Sequence, residues 1–226
     1  MLQRQSVNSR VGFFDSGIGG LVIAREFIKM CPAVDTLYIA DWGFCPYGEK
    51  SETLVLERAH FLTKKLIDHG CTHVVVACNT ATSVALESLR DTYDIAFTGV
   101  QPPVELAAAK SKSGVIGVVA TPITLRGRLF QEAVARLDGK IDVHTAAGEG
   151  LVELVESGDF SSEKARLHIA KVINPIIAGG ADHIVLGCTH YSFFAEMIQE
   201  MAGPAITVVD SASHVALQIA KAVCPG

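Results

Sequence analysis

Two cysteines, Cys78 and Cys188, occupy the same place in two copies of one pattern. Residues 67–78 read Ile-Asp-His-Gly-Cys-Thr-His-Val-Val-Val-Ala-Cys, and residues 177–188 read Ile-Ala-Gly-Gly-Ala-Asp-His-Ile-Val-Leu-Gly-Cys. At a spacing of 110 residues, Ile67/Ile177, Gly70/Gly180, His73/His183, Val75/Val185 and Cys78/Cys188 coincide. Each cysteine closes a short apolar run and leads into small polar residues, Asn79-Thr80 or Thr189-His190. A thiol at such a junction, ahead of a helix whose N-terminal amides favour negative charge, is placed to work as a thiolate. Two of them at equivalent strand ends predict one active site with two facing thiols.

Other residues could serve those thiols. His190 follows Cys188 by two positions and could tune it or pass it a proton, although a lone histidine also caps or packs. Asp15 opens the segment Asp15-Ser16-Gly17-Ile18-Gly19-Gly20 between a strand and a helix. A carboxylate at a buried strand end costs free energy unless it is paired or used. The segment's amides could hold a carboxylate or phosphate, but it matches no dinucleotide or lysine-bearing phosphate motif. Its glycines fit a tight turn equally well. Cys31, Cys71 and Cys224 read as buried small hydrophobes, while Cys45, before Pro46-Tyr47-Gly48, fits either a packing or a functional role. His73 and His183 precede their strands at matching positions and read as structural. A zinc site of Cys78, Cys188, His190 and Asp15 lacks the usual closely spaced ligand pair, so no metal is expected.

These residues need a frame. Short apolar runs alternate with amphipathic stretches along all 226 residues, which is the signature of βα units feeding parallel sheets. Strands are predicted near 11–15, 36–40, 73–77, 96–99, 115–120, 141–144, 183–187 and 206–209. Helices are predicted at 20–30, 51–69, 80–91, 103–110, 124–137, 149–157, 161–178, 191–201 and 212–222, with Gly70, Gly139, Gly158 and Gly180 as stops. Val11-Gly12-Phe13-Phe14-Asp15-Ser16 also echoes Ile116-Gly117-Val118-Val119-Ala120-Thr121. Two pseudo-symmetric α/β domains follow, one from 11–99 plus 209–226 and one from 100–208, with the site in the cleft between them. In such sheets, ligands bind beyond the carboxyl ends of the strands.

Composition narrows the function. Hydrophobic residues make up 49% and charged residues 19%, enough for a real core, and no uninterrupted apolar run is long enough to span a membrane. The polar stretch Met1–Arg10 has no apolar centre and reads as a frayed tail rather than a secretory signal. Six cysteines without CxxC spacing point to reduced thiols and a cytoplasmic location. A net charge of −5 with no basic run gives no footprint for nucleic acid.

The segments FFDSGIGG (13–20), CPYGEKS (45–51), VVACNTA (75–81), GVQPPVELA (99–107), VLGCTHY (185–191) and VVDSA (208–212) together resemble the glutamate racemases of the aspartate/glutamate racemase superfamily. They fall in the family's order over almost the whole chain. The resemblance implies cofactor-independent racemisation of an acidic amino acid, with Cys78 and Cys188 on opposite faces of the α-carbon. One thiolate removes the α-proton while the other thiol delivers a proton. It also implies Asp15 and His190 as supporting acid–base groups, and Glu156, at the end of Leu154-Val155-Glu156, as a further catalytic residue. Substrate binding is assigned on the same basis to Asp15, Ser16, Pro46, Tyr47, Gly48, Asn79, Thr80, Thr121, Thr189 and His190. The implied product is D-glutamate for bacterial peptidoglycan, and a homodimer is compatible with the family.

Three segments depart from the family pattern. Phe44, in Asp41-Trp42-Gly43-Phe44, stands where an arginine is usual; Thr121-Pro122-Ile123-Thr124-Leu125-Arg126-Gly127 loses a glycine and a serine; and Gly148-Glu149 replaces Cys-Pro. These changes bear on the substrate more than on the reaction. Aspartate or another acidic amino acid, a decarboxylase or isomerase on the same scaffold, and a binding protein with a vestigial site are the alternatives.

Overall fold

Strands buried on both faces are apolar along their middles, and the central strands of this protein carry polar residues only at their ends. β1 (Arg10–Asp15) and β3 (His73–Val76) are buried nearly end to end, and so are β5 (Val115–Ala120) and β7 (His183–Gly187). Each pair is flanked by less buried strands, β2 (Asp35–Ala40) and β4 (Ala96–Gly99) in one sheet, β6 (Asp142–Ala147) and β8 (Thr207–Val209) in the other. The computed structural model describes residues 10–224 and places these strands in two parallel sheets of identical order, β2-β1-β3-β4 and β6-β5-β7-β8. The tail expected at Met1–Arg10 lies outside the described residues except for Arg10, which begins β1.

Helices cover both faces of each sheet. In the first half these are α1 (Leu21–Met30), α2 (Glu52–Asp68) and α3 (Asn79–Thr92). The second half carries α4 (Val104–Ala108), α5 (Pro122–Arg126), α6 (Arg128–Ala135), α7 (Leu151–Glu156), α8 (Glu163–Ala178) and α9 (Ala195–Ala202). The last helix, α10 (Ala212–Val223), returns to pack on α1 and shares a core with Val11, Phe13 and Phe27. The chain therefore crosses between the halves twice, at 100–103 and at 210–211. Among the described residues no helix is long and apolar enough to cross a membrane.

Caps set several helix starts. The hydroxyls of Ser51 and Ser162 accept from the amides of Leu54 and Ala165, at 3.2 and 3.1 Å, fixing α2 and α8. Gly70, Gly139, Gly158 and Gly180 all adopt positive φ, as their reading as stops requires. The predicted helix at 124–137 is instead two, α5 and α6, because Gly127 is extended between them. The predicted helix at 191–201 opens with a 3-10 run, Thr189–Phe194, before α9. The strand expected at 141–144 continues to Ala147. Cys31 and Cys71 are buried as expected, but Cys224, past the end of α10, is only half-buried. All six cysteines are free thiols, and burial with the neighbouring Cys224 pushes Cys31 up to about 11.

The duplication extends to packing. A β-carbon on Gly12 would lie 2.9 Å from Leu66 and Cys71, and one on Gly117 would overlap Ile176. Equivalent glycines thus let α2 and α8 press against equivalent central strands. Gly117→Ala is expected to lower stability by about 1–3 kcal/mol through overpacking, read as a shift in the urea unfolding midpoint. An unchanged midpoint would show that α8 gives way without cost.

Candidate active site

The carboxyl ends of β1, β3, β5 and β7 face one another across the boundary between the sheets. Asp15 ends β1 and is fully buried. Its Oδ1 accepts from the Ser16 amide at 2.6 Å, and its Oδ2 accepts from the Gly20 amide and, from the other half of the chain, from the Thr189 hydroxyl at 3.2 Å. The Ile18 amide donates at 2.8 Å to Oε1 of Glu156, which ends α7 in the second half. The amides of the 16–20 loop therefore hold the chain's own carboxylates. A β-carbon on Gly17 would strike Glu156, and one on Gly19 would strike His190. These glycines are needed because the second half comes so close.

Cys78 caps α3, its Sγ accepting from the Ala81 amide at 3.5 Å. The lowering of its pKa expected from a helix N-terminus is not found. Burial pushes the Cys78 thiol up, the nearby Asp15 carboxylate adds to this, and the Ala81 amide and His190 offset only part. Asp15 is itself raised by burial, despite His190 and the Ser16 and Gly20 amides.

Cys188 directly follows β7 and leads into the 3-10 run rather than a full helix. Its Sγ lies 3.9 Å from His190 Nδ1, while His190 Nε2 lies 2.6 Å from Glu156 Oε1. Burial opposes charge on His190, but its contacts with Cys188, Cys45 and Glu156 and the field of Asp15 raise it well above the ordinary value. Burial likewise opposes charge on Glu156, and His190 with the Ile18 amide more than reverses that, lowering it. Both shifts favour an imidazolium–carboxylate pair, and both side chains are largely buried. The two thiols thus have different neighbours, a carboxylic group beside Cys78 and an imidazole beside Cys188.

The remaining expected positions form the walls. The Thr80 hydroxyl lies 2.9 Å from that of Thr121, which lies 3.0 Å from that of Thr124, joining the two halves again. Asn79 donates to the Val100 carbonyl at 3.4 Å, while its Oδ1 is buried without a partner. Pro46, Gly48 and Thr121 line a cavity of about 160 Å³ beside Gly148 and Tyr191. The Tyr47 hydroxyl donates to Asp41 at 2.6 Å, and its side chain is buried. Ser16 lies beside Cys45, oxygen to sulfur at 3.9 Å. His73 and His183 are buried at the first positions of β3 and β7 and bond Thr98 and Asp182, in keeping with structural roles.

The sequence gives no role to Asp41 or Arg58, and it does not show that the carboxylate held by the Ile18 amide is that of Glu156. Arg58 grips both carboxylate oxygens of Asp41 through the Nε/Nη2 edge of its guanidinium, at 2.9 and 2.7 Å, and stacks over the Phe44 ring at 4.1 Å. The aromatic residue that stands in place of the usual arginine is thereby covered by an arginine from α2. Asp41 was visible in its segment, but nothing in the spacing of Arg58 pointed to the loop.

Residues 31–219 match the family model described as Asp/Glu/Hydantoin racemase. The chain is 42% identical to a glutamate racemase of Herpetosiphon aurantiacus over 208 residues, covering 92% of this chain and 82% of that one. A glutamate racemase of Cupriavidus pinatubonensis is also 42% identical, over 96% of this chain and 82% of its own. Among solved structures, a glutamate racemase isoform from Bacillus anthracis superposes with a TM-score of 0.87 at 30% identity, covering 95% of this chain and 81% of that one. The Escherichia coli glutamate racemase, in complex with L-glutamate and the activator UDP-MurNAc-ala, gives 0.85 at 30% identity over 94% and 81%.

The ion pair makes a pH prediction. A histidine whose pKa is raised by folding stabilises the protein below its unfolded value, near 6.5, and that contribution is lost as pH rises through the folded value. His190 is expected to stay protonated well above that value by NMR titration, and Glu156→Gln to lower its midpoint. A wild-type midpoint at or below 6.5 would mean that burial, not the ion pair, sets its charge.

Proposed function

Because the chain belongs to the Asp/Glu/hydantoin racemase family, we propose that it interconverts L- and D-glutamate by proton transfer at both faces of the α-carbon. The carrying observation is the pair of buried thiols at equivalent strand ends, each with its own proton-handling neighbour. The α-proton of an amino acid is very weakly acidic, so a base alone does not suffice. The site must also stabilise the carbanion-like transition state with fixed donors in a water-poor cleft.

In this reading Cys78 and Cys188 are the two acid–base groups. Asp15 takes up and returns the proton of Cys78, which burial otherwise keeps as a thiol. His190, held in orientation by Glu156, works from its protonated form, giving a proton to Cys188 and taking it back. The unpartnered Asn79 Oδ1 is an acceptor of the kind that an ammonium group satisfies. Ser16, Thr80, Thr121 and Thr189 supply hydroxyls, and the Pro46-Tyr47-Gly48 loop, braced by Asp41 and Arg58, closes the site. D-glutamate for a bacterial cell wall, made in the cytoplasm, is the physiological role that goes with the family.

The test is exchange in heavy water with each enantiomer of glutamate and of aspartate, following α-deuteration and optical rotation. Glutamate should exchange and racemise, and Cys78→Ser and Cys188→Ser should each lower the racemisation rate by about 10²–10⁴-fold, the usual worth of a positioned acid or base. Absence of exchange with any substrate would overturn the racemase reading, and full activity in either variant would remove that cysteine from it. A second expectation concerns the brace. Arg58→Ala should raise KM for glutamate more than it lowers kcat, because Arg58 acts on the binding loop through Asp41 and touches neither thiol.

A further inference from the structure

Cys45 has a position that the proposed reaction does not use. It lies half-buried just before Pro46, and its sulfur, one carboxylate oxygen of Glu156 and one ring nitrogen of His190 all lie within 4.8 Å of one another. These three residues come from the loop after β2, the end of α7 and the turn after β7, and no two are close in sequence. The Oε2 atom of Glu156 is buried and has no hydrogen-bond partner. A thiol, an imidazole and a carboxylate therefore converge on one point, with an acceptor to spare.

That donor set has a definite preference. Tetrahedral zinc binds sulfur at about 2.3 Å and nitrogen or oxygen at about 2.0–2.2 Å, which puts ligand atoms about 3.3–3.6 Å apart. The observed spacing is within side-chain adjustment of that value. Calcium and magnesium favour all-oxygen shells, whereas a thiolate with an imidazole selects a softer divalent ion. Three protein ligands also leave a fourth position open.

We propose that Cys45, His190 and Glu156 form a site for a thiophilic divalent cation such as Zn2+, and that its occupation switches the enzyme off. On binding, the Cys45 thiol and the coordinating imidazole nitrogen each release a proton to solvent, and no oxidation or reduction is involved. A cation there takes His190 and Glu156 away from Cys188, so the proton relay of one face stops. The inhibitory half rests on the racemase reading; the binding half does not.

The experiment uses the reduced, metal-free protein and Co2+ as a visible stand-in for zinc. Cobalt should bind with one ion per chain, show the near-ultraviolet absorption of a cobalt–thiolate bond, and be displaced by Zn2+. Cys45→Ala should abolish that absorption and weaken Zn2+ binding by more than about 100-fold, beyond the loss that an outer-shell partner brings, while retaining racemase activity that Zn2+ no longer inhibits. Glu156→Gln, read by binding alone, should weaken Zn2+ affinity in the same direction and guards against misfolding of the first variant. No thiolate absorption in the wild type, absorption that survives Cys45→Ala, or absorption lost in Cys78→Ala would overturn the proposal. A protein that binds cobalt through Cys45 yet racemises nothing would keep the metal site and sink the proposed activity instead.

Discussion

A buried carboxylate has to find donors, and in this protein the two that matter find them across the cleft. Asp15 belongs to the first half and accepts from Thr189 of the second, whereas Glu156 belongs to the second half and accepts from the Ile18 amide of the first. Desolvating a carboxylate costs several kcal/mol unless hydrogen bonds replace its water, so each half is complete only against the other. The glycines at 17 and 19 follow from the same constraint, since any side chain there would occupy the place of Glu156 or His190. The opposing strand ends, the short loop and the buried ion pair are one arrangement.

The halves are copies in topology but not in chemistry. Asp15 at the end of β1 corresponds to Ala120 at the end of β5, and His190 beyond Cys188 corresponds to Thr80 beyond Cys78. Each half has therefore kept one titrating group that the other lacks. Cys78 faces a carboxylic group and is held as a thiol by burial, while Cys188 sits against an imidazolium. Environments that push neighbouring groups in opposite directions are how a site acquires an acid and a base at one pH. A perfect duplication would have given two identical thiols and no such division.

Much of this was written in local patterns. The repeated strand and cysteine, the glycines that end helices and the apolar runs of the central strands each depend on a few adjacent residues, and all are found where the sequence puts them. What escaped were contacts between distant segments. Glu156 reaches Ile18 across 138 residues, and Arg58 reaches Asp41 in the loop after β2 from a helix face whose periodicity only says that it is partly exposed. Where the sequence predicts helix from 191, the chain first makes a 3-10 run over Thr189–Phe194, which differs from an α-helix by only one residue in hydrogen-bond spacing. Cys45 could not be assigned because its two neighbours, Glu156 and His190, lie more than a hundred residues away.

The chain passes between the halves at 100–103 and again at 210–211, and these crossings lie side by side: Val100 packs in the same core as Ala212, and Pro102 and Ser211 line one cavity. Two neighbouring tethers behave like the two pins of a door. They suppress sliding and twisting and leave rotation about the line that joins them as the easy motion. Away from these tethers, the halves are latched by the bonds from Thr189 to Asp15 and from the Ile18 amide to Glu156, and by the contact between the Thr80 and Thr121 hydroxyls. Parting the halves along that edge would strip Asp15 and Glu156 of donors at the same moment, so the two buried carboxylates resist the same rotation.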